Sequence, residues 1–263
     1  MISPQELRRE ARRRKLALDL IEKDYVLGWL LNAIYSSSVS SLISFKGGTD
    51  LSKVFFHGNW RLSEDLDFTS ISSADPETLI RRMASEIPSV LLDISGIDAS
   101  LRDKPHSNKD YAQVRFHYVG PISKNSVKVD VSRETFIGPT AAKNVPHAYD
   151  YTEFSILSYT IDNILGEKMR TILERGKLRD YYDVWKLLKT NEFRAEHIRD
   201  LFLKKCEGKG VEYNLIEQFF PSGLIDALKP HLKDGLTRLT SEELPELEDM
   251  LDELRRGLEK VLL

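Results

Sequence analysis

The chain predicts an α+β fold: a strand-bearing half, residues 1–150, with helices at its start, then a helical half, residues 151–263. Three observations carry this. Strand and turn signals dominate from about residue 42 to 136, broken by one helical interval around 76–87. From residue 158 onward apolar residues recur at helical spacing, over 158–174, 180–189, 195–205, 224–232 and 241–263. A turn-rich stretch from 138 to 149 separates the two regimes.

Taken in order, Ser3-Pro4-Gln5-Glu6 forms a capping box with proline at the first helical position, and a long helical segment runs on from it. Residues 1–16 carry six bases against Glu6 and Glu10, an arm that suits RNA phosphates, a solvated face or an acidic partner. Leu42-Ile43-Ser44-Phe45 is short, apolar and β-prone, and Gly47-Gly48 breaks it. Asp50 to Phe56 then reads as a helix with Leu51, Val54 and Phe55 on one side. Such a turn, with a helix N-terminus after it, offers free N–H groups to an anion; an ordinary tight turn is the bland alternative.

Arg61-Leu62-Ser63-Glu64-Asp65-Leu66-Asp67-Phe68 follows. Alternation places Asp65 and Asp67 on one strand face and Leu66 and Phe68 on the other. Adjacent carboxylates repel, and a hard divalent cation relieves the repulsion. A solvent-facing acidic edge is the competing reading. Val127 to Ser132 alternates again and sets Lys128, Asp130 and Ser132 on the face opposite its valines.

In the helical half, Ile161, Ile164, Leu165 and Ile172 form an inward stripe with Lys168 in its middle. An amine there needs an anion, or snorkels to water on its stem. One helix later Asp180 and Asp183 stand one turn apart, preceded by Arg175, Lys177 and Arg179. Lys168, Arg170, Arg175, Lys177 and Arg179 make a second basic group, and the stretch after Ser241 carries eight acids against three bases.

These motifs together resemble the AbiEii/AbiGii toxin family within the nucleotidyltransferase superfamily typified by DNA polymerase beta. The resemblance rests on Lys46-Gly47-Gly48-Thr49, on Arg61-x-Ser63-x-Asp65-x-Asp67-Phe68, on Asp130, and on Lys168 with Arg179-Asp180-x-x-Asp183. The sixteen residues between Gly48 and Asp65 make a longer connection than the broad superfamily uses, one that the toxin branch tolerates.

The resemblance implies a polymerase-beta-like core, a small mixed sheet flanked by helices, and a C-terminal helical domain completing the active site. It implies nucleotidyl transfer from an NTP with Mg²⁺ or Mn²⁺ held by Asp65, Asp67 and Asp130. Gly47, Gly48, Thr49, Arg61, Ser63 and Arg179 would bind substrate, and Lys168, Asp180 and Asp183 would serve catalysis. The implied acceptor is RNA, most plausibly the tRNA 3′ end. The implied partner is a cognate antitoxin; in some relatives the antitoxin phosphorylates a serine of this motif, which draws attention to Ser63. A small-molecule nucleotidyltransferase and a non-catalytic NTP- or RNA-binding module are the other readings.

Composition sets limits. At 263 residues and 41% apolar the chain can bury a large core. No apolar run approaches the ~20 residues of a membrane span, and the first residues do not read as a signal peptide. Cys206 is the single cysteine, and the six histidines lack metal-ligand spacing. A cytoplasmic setting follows most simply.

Overall fold

In the computed structural model, which describes every residue except Ser73, Ser3 caps the first helix through a full capping box with Glu6. That helix, α1 (Pro4–Arg14), stops at Lys15, whose φ of 54° ends the run; α2 (Leu18–Tyr35) starts afresh. The long N-terminal helical segment is therefore two helices. The chain divides into two compact units, residues 1–134 with 140–159, and residues 135–139 with 160–263.

The first unit carries the sheet. After α2 come β1 (Ile43–Lys46) and α3 (Gly47–Asp50), which continues as a π-helical turn through Phe55. The helix thus begins at the glycine pair itself, earlier than the expected Asp50. Then follow β2 (Asp65–Ser70) and α4 (Pro76–Ser95). Asp75 caps α4 through Thr78 N–H, and Gly96 ends it at φ 72°. The sequence signal for this helix fades at Pro88. The helix itself runs on because Leu91 and Ser95 extend the buried stripe of Leu79, Ile80, Met83 and Ile87.

The remaining strands are β3 (Asp98–Leu101), β4 (His106–Asn108), β5 (Tyr111–Val119), β6 (Lys124–Ser132), β7 (Thr140–Val145) and β8 (Phe154–Tyr159). The mixed sheet runs β3-β5-β6-β2-β1-β8-β7, with β4 also pairing β5. β2 lies parallel to β6 and β1 parallel to β8; the other pairings are antiparallel. One face of β1, β2, β5 and β6 buries Phe45, Leu66, Phe68, Val114, Phe116, Val127, Val129 and Val131. The apolar sides of α2 and α4 pack beside these strands. Each such side chain contributes about 1.5–3 kcal/mol by leaving water.

Strands β7 and β8 overturn two expectations. The stretch expected to be turns contains β7, and the helix expected from 158 is preceded by β8. Phe154 to Tyr159 does not alternate cleanly, because a parallel strand with covered faces needs no polar side. Thr140-Ala141-Ala142-Lys143-Asn144-Val145 is an edge strand of low β-propensity, held by its six-residue pairing with β8.

The second unit is helical: α5 (Ile161–Arg175), α6 (Leu178–Thr190), α7 (Ala195–Lys209), α8 (Leu224–Leu228), α9 (Leu232–Gly235) and α10 (Leu247–Leu262). Thr160 caps α5 by accepting from Asn163 N–H. The helix expected over 224–232 breaks near Pro230, and the one expected from 241 starts only after Pro245. Its core joins Ile164, Leu165, Met169 and Ile172 to Leu201 and Phe202, and Val184 and Leu187 to Leu251, Leu254 and Leu258. The 135–139 segment is tied in by Asn163 Nδ2 donating to the Ile137 and Pro139 carbonyls, and by Lys205 Nζ donating to Ile137.

Candidate active site

Sheet register assembles the first cluster. Lys46 of β1 lies opposite Asp67 of β2, Asp67 opposite Asp130 of β6, and Asp130 opposite Gln113 of β5. Directly opposed residues point to the same side, so these four form a row on the face away from the Leu66–Phe68 core. The next row toward the start of β2 pairs Asp65 with Lys128 and Lys128 with Arg115. The three predicted carboxylates therefore occupy one face, brought together by a parallel pairing between strands far apart in sequence.

The glycine turn closes against this row. Gly47 has φ +88°, and a Cβ placed on it would stand 2.7 Å from Asp67 Oδ2. A Cβ on Gly48 would meet Arg61 Nη2 at 3.0 Å and Ser63 Oγ at 3.2 Å. Gly47 is thus required by its φ and its close approach to Asp67, Gly48 is tightly flanked, and Arg61 and Ser63 border the turn. Thr49 Oγ1 donates to the Asp65 carbonyl at 2.5 Å, which pins the turn to the first residue of β2. Thr49 anchors the turn with this hydroxyl.

Electrostatics follow from position. Burial pushes the Asp67 carboxyl up to about 6, with the neighbouring Asp130 charge adding to it and Lys46 and Lys128 opposing. Burial also raises Asp65, against the pull of Lys128 and Lys23. Lys128 Nζ sits 2.6 Å from Asp130 Oδ2 and 3.9 Å from Asp65 Oδ2. Burial alone would lower the Lys128 ammonium, but the Asp130 contact and the acids around it raise it instead. Tyr111 OH donates to Asp130 Oδ1 at 2.8 Å. Lys46 pairs with Glu134 at 3.1 Å, and Ser132 Oγ donates to the same Glu134 oxygen at 2.9 Å.

Among the described residues no three His, Cys, Asp or Glu side chains stand in metal-holding geometry. The carboxylates are instead gathered around ammonium groups. The donor set nonetheless suits a hard divalent cation. It is all oxygen, and the sheet register sets Asp67 directly opposite Asp130 with Asp65 on the same face. Asp65, Asp67 and Asp130 are the residues that would hold such an ion.

The second cluster belongs to the helical unit. Lys168 Nζ contacts Asp180 Oδ1 at 3.2 Å and Asp183 Oδ2 at 3.0 Å, with both carboxyls fully buried. Arg175 adds a fork onto Asp180, Nε to Oδ2 at 2.8 Å and Nη2 to Oδ1 at 2.9 Å. Burial works against the Asp180 charge, yet Lys168 and Arg175 hold its carboxyl well below the usual range. The inward lysine of α5 has its anions. Arg179 Nε donates to the Gly235 carbonyl at 3.1 Å, so this predicted substrate contact also bridges α6 to α9. In the basic arm, Arg13 pairs with Glu10 and Arg14 with the buried Asp24.

Sequence reasoning missed Lys128, Tyr111 and Arg175 as partners of these acids. Lys128 had a signal, since it shares the alternating face of Asp130. Tyr111 had none, because only the β5–β6 pairing brings it to Asp130.

Among curated proteins none matches this sequence. By structure, the chain is similar to the nucleotidyltransferase toxin MenT4 of Mycobacterium tuberculosis H37Rv. That match has a TM-score of 0.74 at 18% identity and covers 99% of this chain and 90% of that one. It is also similar to JHP933 of Helicobacter pylori, at a TM-score of 0.56 and 20% identity over 94% and 93% of the two chains. These likenesses show the fold, a mixed sheet flanked by helices. The sequence model of the nucleotidyl transferase AbiEii toxin family, a type IV toxin–antitoxin system, matches residues 29–259. That span takes in the whole of the glycine turn, the carboxylate row and the lysine helix just described, and the chain belongs to the AbiEii nucleotidyltransferase toxin family.

Proposed function

We propose that this nucleotidyltransferase moves an NMP from an NTP onto an RNA acceptor, the tRNA 3′ end, and thereby stops translation. The observation that carries the metal-dependent part is the row Asp67–Asp130, with Asp65 beside it, closed by a glycine turn whose Gly47 approaches Asp67 too closely for a Cβ. When bound, a divalent ion supplies Lewis-acid stabilisation of phosphoryl oxygens and of the leaving pyrophosphate. Gly47 and Gly48 would turn backbone N–H groups to triphosphate oxygens at the start of the helical turn, with Arg61 and Ser63 beside Gly48. Asp130 orients the attacking hydroxyl and takes its proton. Lys168 is assigned to the same reaction as a counter-charge to phosphate, with Asp180 and Asp183 orienting its amine. A cognate antitoxin goes with the family. No helix among the described residues is long and apolar enough to cross a membrane, which agrees with a cytoplasmic site of action.

The test is to incubate the protein with each labelled NTP, Mg²⁺ or Mn²⁺, and total tRNA. Label enters RNA with the wild type and not with Asp65→Ala. Wild type that labels no RNA under any nucleotide or metal overturns the RNA-acceptor reading. Expression arrests growth, and Lys168→Ala relieves the arrest; an arrest that survives this substitution removes Lys168 from the mechanism.

A further inference from the structure

We propose that Lys128 is the built-in counter-ion of the carboxylate row: its ammonium holds Asp65 and Asp130 in the metal-free protein and competes with the divalent ion for them. Tyr111, on the other oxygen of Asp130, keeps that carboxylate oriented whichever cation is present. The inference rests on the metal-binding reading of Asp65, Asp67 and Asp130.

Position argues first. Lys128 precedes Asp130 by two residues on β6, so both stand on the same face. The parallel register sets Lys128 opposite Asp65 and Asp130 opposite Asp67. An ammonium at this place is therefore within reach of the row, and it settles 2.6 Å from Asp130 Oδ2 and 3.9 Å from Asp65 Oδ2. That is the space a cation shared by these two carboxylates has to use.

Exclusion argues second. A magnesium ion sits about 2.0–2.1 Å from its oxygen ligands. An ammonium 2.6 Å from the same Asp130 oxygen would then share that oxygen with the metal, two positive charges close enough to repel strongly. One of them must leave, and Lys128 can. Its side chain is 27% exposed, and its flexible four-carbon stem carries a point charge that water readily receives. An arginine fork would give up the carboxylate less easily. Asp130 Oδ1, by contrast, accepts from Tyr111 OH at 2.8 Å, a neutral contact that a metal on Oδ2 leaves alone. Of the two neighbours of Asp130, Lys128 thus opposes a metal and Tyr111 does not.

The consequence is reciprocal, as linkage requires: metal weakens the lysine contact, and the lysine weakens the metal. Three carboxylates gain a metal-free state that folds without bare repulsion, at the cost of metal affinity.

The experiment titrates Mn²⁺ alone into the full chain, read by calorimetry and by the electron paramagnetic resonance signal of free Mn²⁺. Neither NTP nor RNA is present. Lys128→Met binds Mn²⁺ at least about tenfold more tightly than wild type, equivalent to about 1.4 kcal/mol, and melts at a lower temperature when metal-free. Lys128→Arg keeps a cation and does not tighten. Tyr111→Phe loosens Mn²⁺ or leaves it unchanged. Lys128→Gln gives the neutral variant a second form should the methionine disturb folding. Mn²⁺ affinity in both neutral variants equal to or below wild type overturns the inference while leaving the metal site standing. Mn²⁺ binding that persists unchanged in Asp65→Ala and Asp67→Ala overturns the metal site and the inference with it.

Discussion

Asp67 of β2 and Asp180 of α6 are both carboxyls taken out of water, and both have cations and another acid nearby. Burial and its acidic neighbours leave the first protonating near pH 6, whereas the second stays ionised well below the ordinary range. The difference is one of supply. Asp180 has Lys168 at 3.2 Å and both arms of Arg175 within 2.9 Å. Asp67 has Asp130 beside it in register, and the two ammoniums that act on it, Lys46 and Lys128, pair with Glu134 and Asp130. The helical cluster is neutralised from within, so it can rigidify. The sheet cluster instead keeps Asp65 and Asp67 raised by burial, a cost to the fold.

The sharpest test of that contrast is a pair of substitutions with opposite signs. Asp67→Asn removes a charge the fold tolerates poorly. It lowers nucleotidyl transfer by about 10³-fold, the scale of losing a group that positions charge in the transition state, and it raises the melting temperature of the metal-free protein at pH 7. A variant that loses stability instead would mean Asp67 is satisfied within the fold, and the contrast would collapse. Asp180→Ala takes from buried Lys168 one of its two carboxylates and from Arg175 the acceptor of its fork. Breaking a buried pair from one side costs about 3–5 kcal/mol, visible as a lower urea midpoint. A midpoint within about 0.5 kcal/mol of wild type would show that the helical cluster is not held by its charges.

These signs could not be taken from the sequence, although much of the site could. The alternation through Asp65-Leu66-Asp67-Phe68 and through Val127 to Val131 gave the faces correctly, because one side of each strand packs its apolar residues into the core and the other carries the charged ones. The glycine pair marked the turn, because Gly47 needs a positive φ and leaves no room for a Cβ. Lys168 within an apolar stripe announced a buried anion. Pairing between distant strands was not legible: the β2–β6 register makes Asp67 and Asp130 neighbours across 63 residues, and β5 brings in Tyr111. The last two strands were missed for a different reason. β8 is covered where it pairs with β1 and β7 is an edge, so neither shows the half-buried period on which strand recognition depends.

Acidity separates the clusters on a smaller scale. The folded chain holds the Asp67 proton more tightly than the unfolded chain does. Stability therefore falls as pH rises from about 4 to about 6, and the whole penalty, at most about 3 kcal/mol, is present above that window. Asp180 is depressed, so its contribution is present at neutral pH and disappears only as pH drops through its lowered folded value, below the ordinary carboxylate range. The stability difference between Asp67→Asn and wild type, measured by urea titration across pH 4 to 7, grows through the upper window and then levels. A flat difference would place the raised carboxyl elsewhere in the row.

The smallest expected effect probes whether the glycine turn belongs to the carboxylate row or only lies near it. Gly47→Ala puts a Cβ on a residue at φ +88° and within 2.7 Å of Asp67 Oδ2. Strain at such a backbone position costs about 1–3 kcal/mol. The part due to φ falls on any side chain, whereas the part due to contact falls only while Asp67 keeps its position. A double-mutant cycle isolates the second part: the cost of Gly47→Ala is smaller in an Asp67→Ala background, where the methyl has a carboxyl's space to enter. Additive costs would show that the turn tolerates the row without being shaped by it. The turn would then be set by its backbone and by the Thr49–Asp65 hydrogen bond, and the carboxylates would owe their placement to the sheet register alone.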